Sequence, residues 1–208
     1  MSARLQARDQ VRESILDAMD RLLVRFGYQK TTVDDLAGEA GIGKGTVYLY
    51  FQSKEQVALS CIDRLHERLM ARIETIMSSN RPAIEKLEGI LVERVTSRFE
   101  YCRNAASIDE MLAALQKELV ARKVQYHAEE AKAIVQVLAA GAKARELPEC
   151  DSDAVAESMI LATNAFLPYS LKASQLGSCE QLEEKVRRMA HLLVFGLQGL
   201  PCRQKEAV

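Results

Sequence analysis

From about Ala7 to Leu200 the apolar residues of this chain recur at spacings of three and four, and nowhere do they alternate with polar ones. That period belongs to helices with one buried stripe and leaves no room for sheet. Prolines, which break helices, are only four: Pro82, Pro148, Pro168 and Pro201. The first segment, about Ala7 to Phe26, carries Val11, Ile15, Leu16, Met19, Leu22, Leu23 and Phe26 on one face and stops at Gly27, a natural left-handed cap. Two short segments follow, about Val33 to Ala40 and from Gly43 or Lys44 onward. Thr32 with Asp35, or Thr31 with Asp34, is spaced to cap the first of them. Longer segments are predicted from Lys54 to about Ser79, from Pro82 to about Tyr101 or Arg103, from Ser107 to about Arg145 with a break near Gln116, from Ala154 to about Ser174 behind Asp151 or Asp153, and from Cys179 to about Leu200.

A chain of 208 residues that is 48% hydrophobic can build a substantial core. No apolar run approaches the roughly 20 residues of a membrane span, and Met1 to Asp20 is charged throughout, unlike a signal peptide. A soluble, cytoplasmic protein without a membrane partner is expected. The net charge of -1 gives no global sign of nucleic acid. Eight basic and eight acidic residues share positions 1–58, so a DNA footprint would have to come from placement, with Arg4 and Arg8 as a possible basic arm. The five cysteines, Cys61, Cys102, Cys150, Cys179 and Cys202, are odd in number and contain no CxxC pair. They read as ordinary reduced residues, with a redox trigger as the alternative.

Residues 32–50 carry the most information. Ala37 is small enough for two helices to cross, Gly41 suits the positive φ of a tight turn, and Ile42 and Val47 can bury the concave side. A second short helix over 44–50 would expose Lys44, Gly45, Thr46, Tyr48 and Tyr50. These are a cation, a position allowing close approach, a methyl-bearing hydroxyl and two phenols, a set suited to a major groove. The spacing alone equally describes a helical hairpin in a core. Two features favour DNA: Tyr48, Tyr50 and Phe51 cluster beside Lys44 and Lys54, and glycines stand at 41, 43 and 45, where each costs a helix about 1 kcal/mol relative to alanine.

The stretch from Thr31 to Glu55, ending Tyr48-Leu49-Tyr50-Phe51-Gln52-Ser53-Lys54-Glu55, resembles the signature of the TetR family of regulators. The resemblance is dense over 8–58, and beyond that only the helical layout is similar. Gly43 stands where such proteins often carry a serine N-cap, a role glycine also fills. The resemblance implies an all-α fold: an N-terminal three-helix helix-turn-helix domain over 1–53, and a larger helical ligand-binding and dimerisation domain over 54–208. It implies that Lys44 and Gly45 approach bases of a double-stranded DNA operator and that Thr46, Tyr48 and Tyr50 touch phosphates or thymine methyls. Thr32 and Lys54 would meet phosphates, while Val47 and Phe51 read as core.

The resemblance also implies a homodimer in which the last two helices pair with their copies. The residues agree: Leu182, Val186, Met189, Leu193, Leu197 and Leu200 form one stripe, and Leu192, Val194 and Phe195 add apolar surface on other sides. A small-molecule effector would sit among the helices of 54–174. Its candidate walls are Cys61, Leu65, Phe99, Cys102, Tyr126, Phe166 and Tyr169, each of which also reads as plain core. With aromatics at 5%, an aliphatic or mixed molecule fits at least as well as a flat dye. His66, His127 and His191 stand alone and no HExxH or paired-carboxylate motif occurs, so neither a metal, a cofactor nor a catalytic centre is expected. The expected function is a ligand-responsive repressor on a palindromic operator; the alternative keeps the DNA site and makes cysteine oxidation the trigger. A helical enzyme or scaffold would need a polar catalytic cluster, and the sequence suggests none.

Overall fold

A computed structural model describes residues 3–104, 108–167 and 177–198. Every regular element among them is a helix: α1 (Ala3–Arg25), α2 (Val33–Ala40), α3 (Lys44–Tyr50), α4 (Lys54–Ser78), α5 (Ala83–Asn104), α6 (Ile108–Ala114), α7 (Gln116–Lys143), α8 (Ser152–Asn164) and α9 (Cys179–Gln198). They form two compact units, one from residues 1–66 with 101–121 and the other from 67–100 with 122–208. Helices α4, α5 and α7 each contribute residues to both.

In the first unit, α1 packs on α2 and α2 on α3. Their shared core holds Ile15, Leu16, Met19 and Leu23 of α1, Leu36 and Ala37 of α2, and Val47 of α3. The core continues past residue 53, through Val57, Ala58 and Cys61 of α4, Cys102 of α5, and Ile108 and Met111 of α6. The compact body carrying the two short helices therefore includes chain from beyond residue 100, where α6 adds Ile108 and Met111 to their core. Phe26, expected on the buried stripe, is 56% exposed. The helix ends at Arg25 and Gly27 turns the chain at φ 82°, which leaves the Phe26 ring outside beneath the Arg25 guanidinium.

The second unit has a core of Leu69, Ile73, Leu87, Ile90, Leu91, Ile134, Leu138, Met159 and Ile160, closed by Ala190 and Val194 of α9. A smaller cluster gathers Val92, Val95, Phe99, Leu167, Leu182 and Val186. At Gly141 a Cβ would lie 2.7 Å from that of Ala83 and 2.8 Å from Leu147 Cδ1, so glycine lets these residues approach α7 closely. Glu146 then accepts a hydrogen bond from the Ala83 amide at 2.6 Å, satisfying a donor at the start of α5. Asp151, rather than Asp153, caps α8 by accepting from the Ala154 amide at 3.2 Å.

Two expectations are corrected here. The helix predicted to run to about Ser174 ends at Asn164, and Phe166 and Leu167 close it with tighter bonds to Thr163 and Asn164. Pro168 explains the stop, since it lacks an N–H and disfavours helix in the residue before it. On α9 the fully buried positions are Leu182, Val186 and Ala190, with Val194 and Leu197 nearly so, whereas Met189 and Leu193 are only half-buried. The stripe drifts by one residue because a straight helix turns at 3.6, not 3.5, residues per turn. Ser107, proposed as a cap, lies outside the described residues.

Candidate nucleic-acid interface

The turn between α2 and α3 is built by its backbone. Gly41 sits at φ 69°, its amide donates to the Gly38 carbonyl at 3.2 Å, and the Ile42 amide reaches back to Ala37 at 3.0 Å. These two bonds are a Schellman closure, and Ile42 joins the same core as Ala37. At the other end of α2, the Thr32 hydroxyl accepts from the Asp35 amide at 3.2 Å while Asp35 accepts from the Thr32 amide at 2.9 Å. Of the two capping pairs the sequence allows, Thr32 with Asp35 forms. Thr31 instead is buried, with its hydroxyl donating to the Gly27 carbonyl at 2.7 Å. The Thr32 donors hold the exposed Asp35 carboxyl below the usual range.

Val47 and Phe51 point into the core and fix the rotation of α3, so that Lys44, Gly45, Tyr48 and Leu49 face outward. Tyr48 is 49% exposed and Leu49 80%. Leu49 is absent from the sequence-derived set, although an exposed leucine on a seven-residue helix is itself a signal. Thr46 and Tyr50 are half-buried, and Tyr50 packs against the core. Lys44 reaches across to α2, where its Nζ lies 2.8 Å from Asp34 Oδ2, and that bond raises its pKa. Gly45 has no atom within 4 Å of where a Cβ would stand, so nothing within the chain requires glycine there. Lys54, expected at a phosphate, is tied into the fold. Its Nζ donates to the Tyr28 carbonyl at 2.9 Å and stands 4.3 Å from the Tyr28 ring centroid. Burial, helped by Glu55, pushes the Tyr28 phenol up to about 12.

Two ion clusters hold α1 in place. Glu39 of α2 binds Arg21 at 2.6 Å and Arg25 at 2.7 Å. Arg64 of α4 binds Glu13, Asp17 and Asp20 at 2.7 to 2.9 Å, and Tyr101 donates to Asp20 at 2.8 Å. Burial works against the Arg64 charge, but the carboxylates outweigh it and hold its pKa above the ordinary value.

Residues 15–61 match the family described as bacterial regulatory proteins, tetR family. Over residues 15–61 the chain carries the TetR-family pattern. An HTH-type transcriptional regulator of Haemophilus influenzae is 33% identical over 81 residues, 39% of this chain and 43% of that protein. The fatty acid metabolism regulator protein of Bacillus subtilis is 31% identical over 77 residues, 37% of this chain and 40% of that protein. These curated relatives are thus matched over about two-fifths of their length. Solved structures extend the likeness in fold. A TetR/AcrR-family regulator from Thermobifida fusca superposes with TM-score 0.70 at 22% identity over 89% of this chain and 97% of its own. The regulator FadR of Bacillus subtilis, in complex with stearoyl-CoA, does so with TM-score 0.61 at 21% identity over 88% and 98%.

The expected effector walls divide between the two units. Cys61 and Cys102 lie in the core that carries the short helices, and Leu65 is half-buried in the same unit. Phe99 and Phe166 share the smaller cluster of the second unit, where Tyr126 is half-buried. Tyr169 lies outside the described residues, as does Cys202. The redox alternative gains no support. Burial, with Asp20 nearby, pushes the Cys61 thiol well up, away from the thiolate that oxidation needs, and Cys102 is buried too. Among the described residues no group of His, Cys, Asp or Glu is arranged to hold a metal, and no helix is long and apolar enough to cross a membrane.

Sequence reasoning missed an ion cluster inside the second unit. Arg94, fully buried, donates from Nε to Glu130 at 2.7 Å, from one terminal nitrogen to Thr163 and the Ile160 carbonyl, and from the other to Asn164 at 3.0 Å. Arg98 takes the second oxygen of the same carboxylate and donates to the Arg94 carbonyl at 2.7 Å. Burial alone would push Glu130 up, yet Arg98 and Arg94 outweigh it and hold the carboxyl below its ordinary value. The available signal was a pair of arginines one turn apart, flanked by Val95 and Phe99 on the same helix.

Proposed function

We propose that this chain is a ligand-responsive transcriptional repressor that binds a palindromic double-stranded operator as a homodimer and is released by a small-molecule effector. The observation that carries the reading is the outward face of α3. Lys44, Gly45 and Tyr48 stand on a helix whose rotation is set by Val47 and Phe51, with Thr46 and Tyr50 at its margins. Glycine at 45 has no use inside the chain but lets a backbone approach base edges. Thr32 and Lys54 flank this face as phosphate contacts, Lys54 through the ammonium donors that Tyr28 leaves over. The functional division places DNA reading in 1–53, and effector binding and dimerisation in 54–208.

Dimerisation is supported by α8 and α9, which pack together and leave Leu161, Leu192 and Phe195 each more than 60% exposed. Beside them runs a groove of about 630 Å³ lined by Val155, Met159, Leu193 and Leu197 among others. A second copy covers such a surface. The effector would favour a dimer whose two α3 helices no longer match successive major grooves, about 34–36 Å apart. Binding of the purified protein to duplex DNA from its own upstream region tests the reading, in parallel with light scattering. A dimer that binds this DNA over a scrambled duplex is expected. Phe195→Glu should give monomers that bind at least about tenfold more weakly. A wild-type monomer at micromolar concentration, or equal binding of both duplexes, would sink the proposal.

A further inference from the structure

One side of α3 belongs to the core: Val47 is buried, and Phe51 closes the helix into the same cluster. At about 100° per residue, two steps back to Gly45 and two steps forward to Leu49 both land about 160° from Val47, on either side of the point opposite it. The exposures agree. Leu49 is 80% exposed, more than any other large hydrophobic side chain among the described residues, and nothing lies within 4 Å of where a Gly45 Cβ would stand. The polar residues of the helix stand nearer its sides. Lys44 and Tyr48 share one flank, where Asp34 of α2 holds the Lys44 ammonium at 2.8 Å, and Thr46 and Tyr50 share the other, half-buried. The outermost line of α3 is thus a glycine followed one turn later by a leucine, with no hydrogen-bonding side chain on it.

A helix laid in a major groove puts its outermost line against the base edges. Gly45 lets the backbone come close, which brings Leu49 to the floor of the groove. There a leucine can neither donate nor accept. Against adenine, guanine or cytosine it would strip water from ring nitrogens, carbonyl oxygens and amino groups without replacing the lost hydrogen bonds. The one apolar group that the bases present in that groove is the C5-methyl of thymine. A leucine over that methyl removes apolar surface of both from water.

We propose, resting on the operator-binding reading above, that Leu49 is a specificity-determining residue that packs on a thymine methyl in each half-site. Gly45 sets the closeness of approach, and Leu49 distinguishes thymine from the three bases that lack the methyl.

The test is fluorescence anisotropy of the full-length protein on labelled upstream duplex in two forms. One is natural; the other has deoxyuridine in place of every thymidine, which deletes the C5-methyls and keeps every base pair. A scrambled natural duplex is the reference. Wild type should bind the deoxyuridine duplex roughly fifteenfold more weakly, about fourfold for each half-site of a dimer. Leu49→Ala should bind the natural duplex more weakly by a similar factor and differ by no more than about twofold between the two forms. Leu49→Met, still apolar, should retain most of the wild-type difference. So should Thr46→Ser, which removes the other methyl-bearing side chain of the exposed set. Leu49→Ala changes an exposed position and should leave helix content and the urea midpoint unchanged. Wild type binding the natural and deoxyuridine duplexes equally, or a folded Leu49→Ala paying the full wild-type penalty for deoxyuridine, overturns the role of Leu49. In either case a preference for upstream over scrambled duplex keeps the operator-binding reading. Equal binding of upstream and scrambled natural duplexes removes that reading, and the role of Leu49 with it.

Discussion

In the first unit one arginine serves three carboxylates; in the second, two arginines share one. Arg64 is buried, but its partners Glu13, Asp17 and Asp20 have side chains 47%, 54% and 32% exposed, so the surplus negative charge stands in water. Arg94 and Glu130 have no exposure at all, and the Arg98 side chain beside them is 12% exposed. The same chemistry therefore does different work. The first cluster clamps α4 to α1 and is complete as it stands. The second buries its ion pair completely within a helical interior, where each charge depends on the other to offset its desolvation.

Removing each hub is the strongest way to break that comparison. Arg94→Ala strands a fully buried carboxylate and should cost about 3–5 kcal/mol in urea unfolding. Arg64→Ala releases carboxylates that water can reach and should cost only about 1–2 kcal/mol. Equal losses would erase the distinction between the two clusters. Lys54 and Lys44 repeat the contrast on a smaller scale within the first unit. Lys54→Ala should lower stability by about 1 kcal/mol through the lost Tyr28 contacts. Lys44→Ala should leave stability unchanged and remove operator binding.

The second cluster also has a pH signature. His127 is held neutral in the folded protein, with its pKa near 4 against an unfolded value of 6.5. The unfolded chain binds the extra proton first, so stability falls as pH drops through 6.5 and this contribution levels off below about 4. His127→Gln should flatten that stretch of the stability curve. An unchanged slope would mean that His127 stands outside the positive field. The smallest effect belongs to the glycines. Gly38→Ala and Gly45→Ala both have room for a Cβ and should each stabilise by up to about 1 kcal/mol. Only Gly45→Ala should weaken DNA binding.

Much of the first unit was legible because its logic is local. A positive-φ glycine at 41, a capping pair three residues apart and a buried Val47 are all written within twenty residues. The all-α layout was equally plain from periodicity. The second unit's polar interior was not, because Arg94 meets Glu130 across 36 residues and Thr163 across 69. Arginine within a helical pattern reads by default as a solvated face, so Phe99 and Tyr126 were proposed as walls without the charges beside them. The tie between Lys54 and the fold was hidden in the same way, because the Tyr28 carbonyl it meets comes from a loop 26 residues earlier.

The central claim is that α3 reads DNA through the face bearing Tyr48. Anisotropy of labelled upstream duplex, titrated with wild type and Tyr48→Ala at matched dimer concentration and physiological salt, tests it most directly. The account predicts saturable wild-type binding that a scrambled duplex competes poorly, and at least about tenfold weaker binding by the variant with its helix content and dimer intact. Wild-type affinity in a folded, dimeric Tyr48→Ala would contradict it.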